Sequence, residues 1–309
     1  MTWSPYYRGD GIERPIKPPK APPWRTFPRE SQHKQFQPPP GLVAAVNAAV
    51  LLRRPLLLRG PAGFGKSTVV EQVAHELALG RVLRWQVTSR STLKEALYRY
   101  DALGRIHAQN LRLAGERSAD DRDDIADFLQ LGPLGTALLP SESGRPRALL
   151  IDEIDKSDMD LPSDLLDVLE RGEFEIPELA RHPVGEIDIR LWDSPETTIV
   201  HNGRISCHEF PFIVLTSNDE RDFPEAFLRR CIRFTMPRPT VEMLERIIGA
   251  HLDGADTGSA LVGEFVERIE RGERLAIDQL LNAVYVLSET HVPDTAEIRD
   301  LLLRDLANG

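Results

Sequence analysis

Cysteine is scarce in this sequence, with only Cys207 and Cys231 among 309 residues. Two thiols exclude a disulfide framework and a cysteine-rich metal site, so we expect a reduced, cytoplasmic protein. Long apolar runs are also missing, because the longest one, residues 50–58, is interrupted by Arg53 and Arg54. This excludes a membrane-spanning helix, and the first residues lack the apolar core of a signal peptide.

Positive charge is in the minority, since 38 Lys and Arg residues stand against 48 Asp and Glu residues, a formal net charge of −10. An acidic chain has no general attraction for phosphate backbones, which disfavours nucleic acid as a partner. Hydrophobic residues make up 41% of the chain. This composition and length allow a packed α/β domain with a smaller helical one.

Proline is concentrated in residues 1–40, which hold ten of the 24 prolines and seven basic against three acidic residues. Because proline fixes φ and removes backbone donors, we expect an irregular N-terminal arm. The arm also contains aromatic residues: Trp3, Tyr6, Tyr7, Trp24, Phe27 and Phe36. Disordered segments contain few aromatics, so two interpretations stay open: a disordered tail, or an extended arm whose aromatics dock on a neighbouring molecule.

From residue 41 onward, strand and helix patterns alternate. Apolar or alternating segments predict strands at 55–58, 81–88, 148–151 and 210–216. Helical patterns occupy 42–52, 66–79, 93–103 and 161–171. This order predicts a parallel sheet with helices on both faces.

Two further segments interrupt the alternation. The charged stretch 105–130 predicts a solvated insertion, and the pair Asn202-Gly203 between alternating residues predicts a β-hairpin. After Pro237 the pattern is helical, and Asp294 with Glu297 resembles a capping box. We therefore divide the chain into an arm, a nucleotide-binding core and a small helical lid: 1–40, 41–237 and 238–309.

Residues Gly60 to Ser67 fit the phosphate-loop pattern G-x-x-x-x-G-K-[ST] between a predicted strand and helix. Glycines let backbone N–H groups converge on phosphate oxygens, and the helix N-terminus adds its positive dipole end. We expect Lys66 to reach the β- and γ-phosphates and the Ser67 hydroxyl to bind Mg²⁺. The predicted nucleotide site is Gly60, Pro61, Ala62, Gly63, Phe64, Gly65, Lys66, Ser67 and Thr68. A chance glycine turn is the alternative, which the strand–turn–helix setting disfavours.

The predicted strand at 148–151 is followed by two acids, Asp152 and Glu153. One carboxylate at such a position can hold Mg²⁺ while its neighbour polarises the attacking water. We assign Asp152 to the metal and Glu153 to the general base. Two solvated acids at a strand end are the alternative, which the upstream phosphate loop disfavours.

These motifs make residues 41–309 resemble the AAA+ ATPases, and among them the MoxR-like branch. The resemblance rests on the phosphate loop, the acidic strand end, the Gly-Pro-Leu turn at 132–134 and the segments at 154–157 and 165–176. It implies a P-loop NTPase core of the ASCE type, an all-α lid, and hydrolysis of ATP with Mg²⁺.

The remaining predicted site residues come from the resemblance and from their positions. Asn218 follows a predicted strand, where parallel sheets bind ligands, and matches the family's sensor 1; a turn-capping asparagine is the alternative. Arg230 best matches a trans-acting arginine finger, with Arg229 as the fallback and Arg233 as a second contact. The alternative is that these arginines interact with the negative, C-terminal end of the helix dipole. A finger supplied by a neighbour implies a closed ring, which the resemblance suggests is a hexamer.

Two features depart from the family. The position of its sensor 2 arginine holds Asp278, with Arg274 nearby, and an aromatic–glycine pore loop is not evident in residues 89–94. We expect Tyr98 and Tyr100 to pack in the core, which disfavours peptide threading. The charged stretch 105–130 is the candidate partner contact.

The resemblance implies a chaperone-like remodeller of a partner protein, often one with a von Willebrand A domain; similar ATPases occur in bacterial conflict systems. Three alternatives stay open. The first is a nucleic-acid-associated motor, which the basic arm permits. The second is a GTP user of the McrB type, because the phosphate loop does not read the base. The third is a non-catalytic scaffold whose assembly depends on ATP.

Overall fold

The computed structural model describes residues 6–15, 20–26, 36–114, 125–141, 144–252, 259–289, 293 and 295–304. The chain forms two compact units. One is drawn from Met1–Leu42, Gly60–Gln72 and Thr235–Gly309, and the other from Val43–Arg59 and Val73–Phe234. Among the described residues, no helix combines the length and apolar character needed to cross a bilayer.

The regular elements follow one another as the sequence patterns predict, with some exceptions. The strands are β1 (Leu56–Arg59), β2 (Leu83–Gln86), β3 (Tyr98–Tyr100), β4 (Leu129–Leu131), β5 (Ala148–Asp152), β6 (Glu173–Glu175), β7 (Glu186–Arg190), β8 (Thr197–His201), β9 (Arg204–Ser206), β10 (Phe212–Ser217) and β11 (Ile232–Thr235). The helices are α1 (Leu42–Leu52), α2 (Lys66–Glu76), α3 (Leu93–Leu97), α4 (Ala102–Leu113), α5 (Pro133–Ala137), α6 (Leu161–Arg171), α7 (Pro177–Ala180), α8 (Glu225–Leu228), α9 (Val241–His251), α10 (Ser259–Glu270), α11 (Ile277–Glu289) and α12 (Ala296–Leu302).

The main sheet has the strand order β11-β1-β10-β5-β2, and β1, β10, β5 and β2 pair in parallel. The inner strands are apolar because both of their faces are covered, and all six residues of β10 are buried. Helices flank this sheet, which confirms the predicted α/β fold. Its carboxyl edge carries Arg59, Asp152 and Ser217 at the ends of β1, β5 and β10.

A second sheet has the order β3-β4-β7-β8-β9-β6. Strands β8 and β9 form the predicted hairpin, in which Asn202 and Gly203 have φ values of 50° and 71°. The pair provides the two positive φ angles that a tight turn of this kind needs. The asparagine-glycine pair therefore predicted the hairpin correctly. On its other side, β8 also pairs with β7, over a longer register.

The single helix predicted at 93–103 is wrong. Helix α3 ends at Leu97, and Tyr98 is extended, with φ −161° and ψ 161°. Tyrosine favours strands, and here the strand β3 pairs with β4 while the Tyr98 hydroxyl donates to Glu178 Oε2 at 2.7 Å. Burial raises the pKa of Tyr98, which is only 5% exposed and packs in the core as predicted.

The stretch at 105–130 is not solvated throughout. Most of its first part belongs to α4, where Ala108 is buried, and Ile125 and Leu129 after it are 2% and 0% exposed. Residues 115–124 lie outside the described residues. Although this stretch is rich in charged residues, it also contains a few apolar residues that are buried.

The helices α9 to α12 form the predicted lid, and Thr240 and Thr295 cap the N-termini of α9 and α12. Thr295 Oγ1 accepts from the N–H of Ile298 at 3.3 Å, so the cap of α12 is one residue later than predicted. Asp294, the predicted capping residue, lies outside the described residues.

Trp24 of the N-terminal arm packs on the lid of its own chain. Its indole Nε1 donates to Asn282 Oδ1 at 2.9 Å, and its ring meets His251 and Tyr285 edge-on, with centroids 6.3 and 5.9 Å away. Neither interpretation of the arm included this contact. A neighbouring molecule is not needed to hold this aromatic residue.

We predict that Gly203→Ala destabilises the protein more than Gly144→Ala. Both glycines have positive φ, 71° and 65°, so each substitution carries backbone strain of about 1–2 kcal/mol. A methyl group on Gly203 would also approach Ala180 N to 2.6 Å and Ile176 O to 2.7 Å, whereas Gly144 has open space. Urea unfolding should show a larger loss for Gly203→Ala; equal losses would contradict the described packing.

Candidate nucleotide site

The phosphate loop has the backbone that its glycines predict. Gly60, Gly63 and Gly65 have φ values of 139°, 76° and 74°, in the region that side chains rarely occupy. Helix α2 starts at Lys66 directly after the loop, so its first N–H groups and positive dipole end belong to the same turn. Phe64 is 5% exposed, which places this bulky residue in the interior.

The lysine and the lid both contact this loop. Lys66 is 7% exposed, and its Nζ donates to the carbonyl oxygens of Gly60 at 2.6 Å and Pro61 at 2.8 Å. A methyl group on Gly63 would clash with Cβ of Ala276 and come within 3.1 Å of Asp278 Oδ1. The start of α11 therefore approaches the loop closely, and Asp278 is the side chain that it brings there.

The arm reaches the loop as well. The ring of Phe36 lies 3.3 Å from the position of a Cβ on Gly65, and the Phe36 carbonyl accepts from Gln72 Nε2 at 3.2 Å. A larger residue than glycine would press on this ring. The arm thus contacts the phosphate loop near Phe36 and the lid at Trp24.

The acidic end of β5 is hydrogen-bonded to the neighbouring strand β10. The Thr216 hydroxyl donates to Asp152 Oδ1 and accepts from the N–H of Glu153 at 2.9 Å. Glu153 has φ 59° and ψ 47°, a left-handed conformation that costs a non-glycine residue about 1–3 kcal/mol. Such strain persists only where surrounding contacts impose it. The left-handed backbone sets the direction in which the Glu153 side chain leaves the end of β5.

Two side chains hold the Glu153 carboxylate. Gln86 Nε2 at the end of β2 donates to Glu153 Oε2 at 2.6 Å, and Lys156 Nζ donates to the same oxygen at 2.8 Å. The hydrogen bond to Glu153 raises the pKa of Lys156, so this lysine stays charged. Neither Gln86 nor Lys156 was assigned a role in the sequence analysis.

Asp155 holds the turn that carries Asn218. Its Oδ2 accepts from the backbone N–H of Asn218 at 2.8 Å and of Glu220 at 3.1 Å, and Asp155 is only 2% exposed. The guanidinium of Arg221 donates to the Ser157 carbonyl at 2.7 Å. The segment after β5 is therefore joined to the segment after β10, and half-buried Asn218 lies in the joined turn.

The end of β1 belongs to the same arrangement. Arg59, the residue before the phosphate loop, pairs with Asp219 through Nε and Oδ1 at 2.5 Å. Since β10 pairs with both β1 and β5, the structure brings together Asp152, Glu153 and Asn218 at one edge of the sheet. These residues were predicted from the sequence, whereas the contacts that hold them could not be found in local patterns.

The candidate arginine fingers lie around the end of α8. Arg230 Nε pairs with Glu170 Oε1 of the same chain at 2.7 Å, and Arg230 also donates to the Ala226 carbonyl at 3.1 Å. Arg229 is exposed, and its carbonyl accepts from Arg54 at 3.2 Å. A role of Arg230 toward a neighbouring subunit would thus require it to leave Glu170.

The donor chemistry suits Mg²⁺ with a nucleotide. Ser67 offers a hydroxyl and Asp152 a carboxylate, which are oxygen ligands of the kind that Mg²⁺ prefers. In the part of the chain that the structure describes, no three His, Cys, Asp or Glu side chains converge as a metal cage.

A family model described as AAA domain (dynein-related subfamily) matches residues 55–231, more than half of the chain. No curated protein matches the sequence. Among solved structures, the chain is similar to the crystal structure of domain III from the Thermotoga maritima replication initiation protein DnaA. That match has a TM-score of 0.41 and 13% identity, and covers 88% of this chain and 95% of that chain. A likeness at this level carries no argument about function.

We predict that Asp155→Ala lowers the free energy of unfolding by about 1–3 kcal/mol, because the N–H groups of Asn218 and Glu220 lose their acceptor. Asp155→Asn keeps an acceptor oxygen and should lose less. The control is Asp167→Ala on α6, where the side chain is 63% exposed. Denaturant unfolding with equal losses for Asp155→Ala and Asp167→Ala would show that the turn does not depend on Asp155.

Proposed function

The chain belongs to the AAA domain family, dynein-related subfamily, and from this premise we propose that it binds ATP with Mg²⁺ and hydrolyses it within a ring of identical subunits. The observation that carries the proposal is the acidic end of β5, hydrogen-bonded through Thr216 to β10, the strand that Asn218 follows. A complete phosphate loop at Gly60–Ser67 accompanies it.

The phosphate loop binds the triphosphate. Backbone N–H groups between Gly60 and Thr68 and the first turn of α2 surround the phosphate oxygens. The ammonium group of Lys66 exchanges its carbonyl partners for the β- and γ-phosphates. Ser67 and Asp152 would hold Mg²⁺, which would neutralise charge on the phosphate oxygens.

Glu153 serves as the general base. Its hydrogen bonds from Gln86 and Lys156 both involve Oε2, so Oε1 can take the proton of the attacking water. Asn218 orients that water through its side-chain amide. Asp155 fixes the backbone of Asn218. This keeps the side-chain amide of Asn218 at a constant position relative to the Glu153 carboxylate.

A neighbouring subunit completes the site with Arg230. The guanidinium stabilises the charge that develops on the γ-phosphoryl group, which in related chemistry is worth about 10³–10⁵ in rate. Arg230 pairs with Glu170 of its own subunit at 2.7 Å. Arg230 exchanges Glu170 for the γ-phosphoryl group of the neighbouring site. Arg229 is the alternative finger. A contact that each subunit makes to the next generates a closed ring, which we propose is a hexamer.

The ring remodels a partner protein, as the resemblance to MoxR-like proteins implies. Helix α4 supports this role, because it exposes Leu103, Ile106 and Leu113 by 79%, 53% and 87%. An apolar stripe of this kind suits a protein contact, and we propose a client with a von Willebrand A domain. The free thiols Cys207 and Cys231 support a reducing, cytoplasmic setting.

Glu153→Gln tests the general base. The amide cannot accept a proton, so turnover of ATP should fall by about 10²–10⁴-fold while ATP affinity stays unchanged. Phosphate release and equilibrium binding of labelled ATP measure the two quantities. Glu175→Gln, an exposed residue of β6, is the control and should hydrolyse ATP normally. Normal turnover by Glu153→Gln would remove Glu153 from the mechanism.

Arg230→Ala tests the contribution of a neighbouring subunit. The pure variant should bind ATP but lose most of its turnover, because no subunit supplies the cation to the next one. Mixing it with Glu153→Gln subunits should restore part of the activity, since these donate Arg230. Arg171→Ala, which removes an exposed arginine of α6, is the control and should retain turnover. If the mixture stays inactive while Arg230→Ala rings assemble normally, the trans assignment is wrong.

A further inference from the structure

A cavity of about 540 Å³ lies at the carboxyl end of β2, the edge strand of the main sheet. Sites for small molecules range from about 300 to 1,000 Å³, so the volume suits such a ligand. Its wall combines an aromatic ring with side chains that donate hydrogen bonds: Trp192, Arg84, Thr88, Arg90, Ser91 and Arg99.

Trp192 orients Arg99 in this wall. The guanidinium carbon of Arg99 lies 4.9 Å from the centroid of the Trp192 ring. Stacking of this kind holds the guanidinium plane and leaves its N–H edge for other partners. Trp192 is fixed in turn, because its backbone N–H donates at 3.0 Å to the hydroxyl of Thr136, which is 3% exposed.

Arg90 projects from a turn that is held by its own hydroxyl groups. The Thr88 N–H donates to Ser91 Oγ at 2.9 Å, and the Arg90 N–H donates to Thr88 Oγ1 at 3.3 Å. The Ser91 N–H donates to the Thr88 carbonyl at 3.0 Å. These local bonds fix the backbone from which Arg90 reaches the cavity.

The lining of the cavity carries more positive than negative side chains, with Arg84, Arg90 and Arg99 against Glu95 and Asp152. Within the described part of the chain, neither Arg90 nor Arg99 forms an ion pair. The carboxylates that also line the cavity have partners, since Glu95 belongs to the capping box of α3 and Asp152 accepts from Thr216. In a chain of net charge −10, two guanidinium groups without carboxylate partners indicate an anion site.

We propose that this cavity, which Gln86 and Asp152 also line, binds a small molecule that carries a phosphate monoester in addition to the nucleotide. A phosphate monoester carries about −1.5 to −2 charges at pH 7, which matches the two guanidinium groups of Arg90 and Arg99. Its oxygens accept hydrogen bonds from these groups and from the hydroxyls of Thr88 and Ser91. A long polyanion would meet the negative charge of the rest of the chain, which favours a compact ligand.

The test uses full-length Lys66→Ala protein, in which the lysine of the phosphate loop is absent. Calorimetric titration with adenosine monophosphate and with inorganic phosphate should each show one site, and adenosine should not bind. Adding Arg90→Gln and Arg99→Gln should weaken both affinities at least tenfold. Adding Arg145→Gln instead, an exposed arginine outside the cavity, should leave them unchanged.

The proposal is overturned if neither phosphate compound binds, if the double variant binds them as before, or if a tetraglutamate peptide binds more tightly than both. Arg90→Gln alone alters an exposed turn residue, so it should weaken binding while the thermal unfolding temperature stays constant. The ATP hydrolysis of the wild-type chain is measured separately. Loss of the proposed ATPase function and loss of this anion site are therefore distinguishable results.

Discussion

Hydrogen bonds between the ends of two neighbouring strands are the interaction on which this structure depends. The Thr216 hydroxyl of β10 is hydrogen-bonded to both Asp152 and Glu153 after β5. In the other direction, the Asp155 carboxylate accepts from the backbone N–H groups of Asn218 and Glu220 after β10. Parallel pairing brings these ends to one edge, but it does not fix the side chains. The crossed hydrogen bonds do so, and they also impose the left-handed backbone of Glu153.

In the proposed mechanism, two consecutive residues have different roles, since Asp152 binds the metal and Glu153 is the general base. Asp152 offers its carboxylate from the last residue of a buried strand, whereas Glu153 is turned aside by its positive φ. Gln86 and Lys156 then hold the second carboxylate from two different elements. In the proposed mechanism, a base held by several partners loses little freedom when it meets its substrate, which is a condition for efficient proton transfer.

Much of the fold and the site could be predicted from sequence, and the exceptions have physical causes. The bounds of α1 and α6 match the helices predicted at 42–52 and 161–171, and the phosphate loop has the positive φ angles that its glycines indicate. The strand β3 was missed because Tyr98 fits a helical pattern and is extended only through its pairing with β4. Asp155, Gln86 and Trp24 were missed because their partners are distant in sequence, and local patterns carry no record of such contacts.

Phosphate release by the purified chain, with ATP in the presence and absence of Mg²⁺, decides whether this edge of the sheet hydrolyses ATP. The account predicts Mg²⁺-dependent release that saturates with ATP and is abolished in Lys66→Ala. ATP that remains intact with the wild-type chain under conditions where the nucleotide is bound, or release that persists in Lys66→Ala, would contradict it.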